Sequence, residues 1–112
     1  MVDVSIYKNA KNLITGFKLS GHADYSQKGS DVVCAAVSVL VINTINSIEQ
    51  FSSDQFTIDQ DEKTGFIEFH VTSEISNNSN LLLNSLALGL NGVNEEYGNK
   101  YIKLTQLKAQ QL

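Results

Sequence analysis

The feature that most constrains this chain is a run from about Asp31 to Phe51 that has helical character and is apolar around most of its circumference. Val32, Val33, Val37, Leu40, Val41, Ile42, Ile45 and Ile48 leave little room for a wet face. A helix of that kind is buried on several sides or shared with a partner subunit. Many of its residues are β-branched, which weakens local helix propensity, so tertiary packing must hold it. The most apolar stretch, Val32 to Ile45, is interrupted by Ser38, Asn43 and Thr44. It falls short of the roughly 20 apolar residues of a membrane span, and no membrane association is expected.

The flanking segments supply something for this helix to pack on. Val2, Val4 and Ile6 alternate with polar residues at strand period, a polar turn follows at Asn9 to Asn12, and Ile14 to Ser20 reads as a second strand, giving a hairpin. Gly21 to Ser30 is a polar loop bracketed by Gly21 and Gly29, which could act as hinges. Ser30 or Asp31 suits the helix N-cap. Phe56 to Asp59 and Gly65 to Val71 read as two further strands around a turn at Asp61 to Thr64. A second helix is expected from about Ser76 to Tyr97, stopped by Gly98, with Gly89 and Gly92 marking a close packing site. Tyr101 to Leu107 reads as a last strand. The order ββαββαβ predicts an α+β fold, one domain over residues 1–112, in which a mixed sheet is covered by two helices.

Bulk properties narrow the function classes. The net charge of −4 argues against direct nucleic-acid binding, which rests on clustered Lys and Arg, and suits a basic protein partner. A single cysteine excludes an internal disulfide and fits a reducing compartment. The N-terminus lacks the basic and apolar regions of a signal peptide, so a cytoplasmic location is expected. One cysteine and two histidines without clustered spacing do not make a zinc set, and no phosphate-binding glycine motif is present. Neither a metal nor another cofactor is expected.

The residues with chemistry to offer converge where the loop meets the first helix. Cys34 is expected in the first helical turn, near the positive end of the helix dipole, which favours a thiolate. His22 lies twelve positions upstream in the loop and could be brought alongside as the base of a nucleophile–base pair. Asp31, three residues before Cys34, and Ser38, four after it, share its helix face and make a short polar stripe. Backbone N–H groups at the helix start could hold an oxyanion. Together these suggest acyl transfer by a Cys–His pair.

Each residue has a plainer role open to it. Cys34 could be a small buried hydrophobe, His22 a loop residue bonded to backbone, Asp31 only a cap, and Ser38 a packing residue bonded to the carbonyl four residues back. The chain would then be a non-enzymatic interaction module whose helix face binds a partner, with an inert buried cysteine. A redox-sensing thiol is a third reading, although no resolving cysteine exists in the chain. His70 alternates with Phe66 and Glu68 on one strand face and is expected on the sheet surface rather than in catalysis.

Ile14-Thr15-Gly16-Phe17, Ser20-Gly21-His22-Ala23 and Asp31-Val32-Val33-Cys34-Ala35-Ala36-Val37-Ser38 resemble the motifs of the ribosomal-processing cysteine proteases of low-GC Gram-positive and related bacteria. The resemblance covers essentially the whole chain. It implies a catalytic dyad of His22 and Cys34, with supporting roles for Asp31 and Ser38. It further implies removal of the N-terminal extension of a large-subunit ribosomal protein, the one numbered twenty-seven, by a homodimer with a flexible active-site loop.

Overall fold

A computed structural model describes residues 1–21, 30–98 and 100–108. The element order is β1 (Val2–Lys8), β2 (Ile14–Ser20), α1 (Ser30–Phe51), β3 (Phe56–Asp61), β4 (Phe66–Val71), α2 (Asn77–Tyr97) and β5 (Ile102–Lys108). This is the expected ββαββαβ order, with small shifts at the boundaries. β3 runs two residues further than its apolar pattern suggested, because pairing with β4 continues through Gln60↔Ile67 and Asp61↔Phe66.

The strands form one mixed sheet in the order β3-β4-β2-β1-β5. β1 pairs antiparallel with β2 and parallel with β5, so the chain's first strand becomes interior to the sheet. Register puts like with like on one face: Val4 opposes Leu19, Ile6 opposes Phe17, Phe17 opposes Phe69 and Leu19 opposes Ile67. These side chains are buried and form one cluster with Val33, Val37, Val41, Ile45 and Ile48 of α1 and Leu83, Leu86 and Leu90 of α2. Phe17 and Phe69 stack with ring centroids 5.1 Å apart. The opposite face carries Asp3, Ser5, Lys18, Glu68 and His70, as alternation requires. His70 Nε2 lies 2.9 Å from Glu68 Oε2 there, and its ring is 5.1 Å from that of Tyr7. Between those rings runs Gly16, where a Cβ would fall 2.3 Å from the Phe69 carbonyl oxygen.

Three expectations for the helices change. First, α1 is not buried on several sides. Both helices lie on the same sheet face, so nothing from the described residues covers their outer surface. Val32, Val39 and Ile42 are exposed, as are Leu81 and Leu88 of α2. Second, the 20 residues Val32–Phe51 are long and apolar enough, by length and composition alone, to cross a membrane, with mean hydropathy 1.8. The sequence-based judgement that this run falls short is corrected. Here the helix supplies core, since its Val33, Val37, Val41 and Ile48 are fully buried. Third, of the two glycines of α2, only Gly89 marks a close approach. A Cβ on it would lie 3.1 Å from Leu40 Cδ2, while Gly92 faces open space.

A serine network ties the two helices together at the far end. The Ser76 hydroxyl caps α2 by accepting from the Ser79 amide at 3.2 Å. Ser76 in turn donates from its amide and its hydroxyl to Asp54 Oδ2, each at 2.9 Å. The Ser79 hydroxyl donates to Ser52 Oγ at 3.1 Å, and the Ser52 hydroxyl donates to the Ile48 carbonyl at 2.8 Å. Burial pushes the Asp54 carboxyl up, but the hydrogen bonds from Ser79 and Ser76 outweigh it and hold that group below its ordinary value.

Candidate active site

The apolar pattern of β2 ends at Ser20, and the chain leaves the sheet through Gly21. Gly21 has φ +91°, a left-handed conformation that disfavours any residue with a Cβ. A Cβ there would also fall 2.4 Å from the Met1 carbonyl oxygen. The backbone of the first residue therefore fixes where the loop begins. His22 and Gly29 lie outside the described residues, as does the loop between them.

Ser30 is the first residue of α1 that the structure describes, and Cys34 lies four residues further on.

Helical geometry decides what Cys34 faces. The core stripe of α1 runs Val33, Val37, Val41, Thr44, Ile48. At 100° per residue, Cys34 sits at one margin of that stripe, with Ser38 and then Ile42 following it along the same flank. Cys34 is accordingly half-buried and free, and Ser38 is half-buried. An inert cysteine enclosed in the core does not fit this placement. The flank opens on a groove of ≈ 200 Å³, where Ser38 and Ile42 face Leu19 of β2 and the turn between β3 and β4, including Glu62, Gly65 and Phe66. The structure thus brings Cys34, Ser38 and the end of β2 to one margin of the fold. No group of three or more His, Cys, Asp or Glu placed to hold a metal occurs among the described residues.

A free, half-buried thiol near a helix start, one turn before the groove that Ser38 lines with the end of β2, is an arrangement that a thiol-dependent hydrolase can use. A family model described as Cysteine protease Prp matches residues 1–103, and the chain belongs to that family of cysteine proteases. A ribosomal processing cysteine protease Prp of Staphylococcus aureus is 33% identical over 106 residues, covering 93% of this chain and 97% of that protein. The protein of the same name from Bacillus subtilis is 24% identical over 101 residues, covering 87% of this chain and 90% of its own length. Among solved structures, the S. aureus protease Prp in complex with a substrate peptide matches with a TM-score of 0.87 at 27% identity, over 95% of this chain and 99% of that one. The same protease with a covalently linked product peptide matches with a TM-score of 0.85 at 28% identity, over 95% of this chain and 99% of that one.

The sequence missed one part of this site. Leu19 and Ile42 line the groove beside Cys34's flank and look from sequence like ordinary core residues, while Phe66, which also lines it, alternates with Glu68 and His70. Only the packing of α1 against the β3–β4 hairpin reveals which of them stay open to a ligand.

Proposed function

We propose that this protease removes the N-terminal extension of a large-subunit ribosomal protein, the one numbered twenty-seven, through a dyad of Cys34 and His22. The observation that carries the reading is Cys34's position. It lies half-buried at the margin of α1's core stripe, one turn before a groove, within a chain belonging to a cysteine protease family. The relatives from S. aureus and B. subtilis are named for ribosomal processing, and the S. aureus structures hold substrate and product peptides.

In this mechanism the His22 imidazole takes the Cys34 thiol proton and the sulfur attacks the scissile carbonyl carbon. The helix-start amides hold the oxyanion. The imidazolium then protonates the leaving amine, giving a thioester that water hydrolyses with His22 again as base. Asp31 and Ser38 support the dyad, and Gly21 and Gly29 let the loop bring His22 to the sulfur. The net charge of −4 suits a basic ribosomal substrate. The site needs no cofactor, and the setting is the cytoplasm, where unassembled ribosomal protein is found, without membrane or direct nucleic-acid contact. Residues 1–112 act as one protease domain.

The working form is a homodimer. What supports this is an apolar groove of ≈ 650 Å³ between the outer faces of the two helices, lined by Ala35, Ala36, Val39, Leu40, Gly89 and Val93 among others. Val39 is 66% exposed and Leu88, on the same outer surface, 75%. Apolar surface of this kind on a small chain marks an association site.

The deciding experiment incubates the chain with tagged ribosomal protein carrying its extension. A product shortened at the N-terminus is expected. It should be lost in Cys34→Ser and His22→Ala, and cleavage by both variants at the wild-type rate would refute the dyad.

A further inference from the structure

The outer faces of the two helices repeat apolar residues at one interval. Val32 and Val39 of α1 are seven residues apart, as are Leu81 and Leu88 of α2, and seven steps at 100° return to the same side of a helix. Both pairs point away from the core. Val39 stands midway between buried Val37 and Val41, and Leu88 midway between buried Leu86 and Leu90. The valines are 50% and 66% exposed and the leucines 70% and 75%. Apolar residues on a seven-residue repeat make the seam between packed helices, and here that seam faces outward on both.

The groove between these stripes opens unevenly. Midway along it the helices touch, since a Cβ on Gly89 would lie 3.1 Å from Leu40 Cδ2. About one turn further along α2, a Cβ on Gly92 would meet nothing within 4 Å. The helices part where Gly92 and Val93 lie across the groove from Ala35 and Ala36, the two residues that follow Cys34. From Val32 to Ala36 only Val33 is buried. α2 thus braces α1 at Leu40 and leaves the turn that carries Cys34 without that support.

We propose that a second copy of this chain completes the active site. It packs on the two outward stripes, fills the gap over Ala35 and Ala36, and holds the start of α1 in the geometry that catalysis needs. The separated chain is therefore a poor protease. The proposal rests on the cysteine protease reading of Cys34 and goes beyond the homodimer by making catalysis depend on it. Three observations select a second copy as the occupant. Projecting leucines stand beside an apolar groove, and a face that holds both knob and socket fits itself across a two-fold axis. Neither helix carries a charged residue from Val32 to Ile48 or from Asn77 to Asn94, so the face offers nothing to a charged partner and brings no like charges together when two copies meet. Helices of 22 and 21 residues, with about half of each turned outward, supply close to the roughly 20–30 residues that a stable interface of about 800 Å² per partner uses.

The experiment follows cleavage of a fluorescent peptide spanning the extension junction, per chain, over a dilution series whose sedimentation is measured in parallel. Rates per chain should fall about tenfold or more as dimers separate, the scale on which a slightly misplaced reacting group loses rate. Leu88→Lys should stay at the lower rate throughout, and its thermal melt verifies that it folds. Excess Cys34→Ala chain, which keeps the helix face but has no thiol, should restore diluted wild type to the dimer's rate. The double variant Cys34→Ala, Leu88→Lys should restore nothing. A monomer that cleaves at the dimer's rate per chain overturns the proposal, as does equal rescue by both thiol-less chains or a wild type that never associates. A dimer that cleaves at no concentration refutes the protease reading instead. The coupling is then read from alkylation of Cys34 by iodoacetamide, whose rate should still change as copies separate. An unchanged alkylation rate in that case refutes the coupling as well.

Discussion

Ile58 and Phe69 are direct partners in the β3–β4 register, on the same face of the sheet, yet one is 42% exposed and the other is fully buried. The difference marks where α1 stops covering the sheet. It also leaves Ile58, a residue patterned as core, open beside Ile42 of α1.

Replacing Cys34 by alanine should remove peptide cleavage by roughly 10³-fold or more, the scale seen when a catalytic nucleophile is lost. The fold should persist, because the side chain is only half-buried. Cleavage assays paired with far-UV circular dichroism check both statements.

Gly21 should not tolerate a side chain. At φ +91°, with a Cβ 2.4 Å from the Met1 carbonyl oxygen, an alanine forces the loop's origin to move. Gly21→Ala is expected to lower stability by about 1–3 kcal/mol. It should lower kcat as well, since the displaced segment carries His22. Urea unfolding and cleavage kinetics of one preparation measure the two effects.

The open sheet face separates stability from activity. A Cβ at Gly16 would lie 2.3 Å from the Phe69 carbonyl oxygen in an interior strand, so Gly16→Ala should destabilise the fold by about 1–3 kcal/mol. His70→Ala, on the same face and paired with Glu68, should leave cleavage unchanged. A large loss of kcat in His70→Ala would contradict the assignment of His22 as the base.

Acid should weaken the junction of the helices. The folded-state pKa of Asp54 lies below its ordinary value of 3.8, held there against burial by bonds from Ser79 and Ser76. Its contribution is therefore fully present above that ordinary value and fades as pH falls through the lower folded one. Asp54→Asn should be less stable than wild type near neutral pH, and the gap should close as pH falls below the ordinary carboxylate value and the Asp54 carboxyl protonates. Ser76→Ala removes the cap of α2 and should cost about 1 kcal/mol. Thermal melts across pH test both variants.

Charge on the outer helix face should break the proposed dimer. Val39→Lys and Leu88→Lys place a cation on exposed positions that carry no core packing. Each is expected to shift sedimentation toward the monomer mass while the monomer melts normally. A wild-type chain that sediments as a monomer at all concentrations would refute the dimer itself.

Local patterning made much of this chain legible. Period-two alternation in Val2, Val4 and Ile6 and helical spacing through Val33, Val37 and Val41 encode which way each residue faces within its own element, and so give the ββαββαβ order. The family motifs around Cys34 and His22 are likewise local strings and point to a cysteine protease, a class the family match upholds. Packing between elements is not written locally. Strand order, the parallel pairing of β1 with β5 and the placement of both helices on one face are choices among partners distant in sequence. Those choices left Val39 and Leu88 outside and exposed Ile58 on the core face of the edge strand β3. Periodicity gives a residue's direction relative to its own axis, while burial depends on what another segment brings to that side, and only the assembled fold decides that.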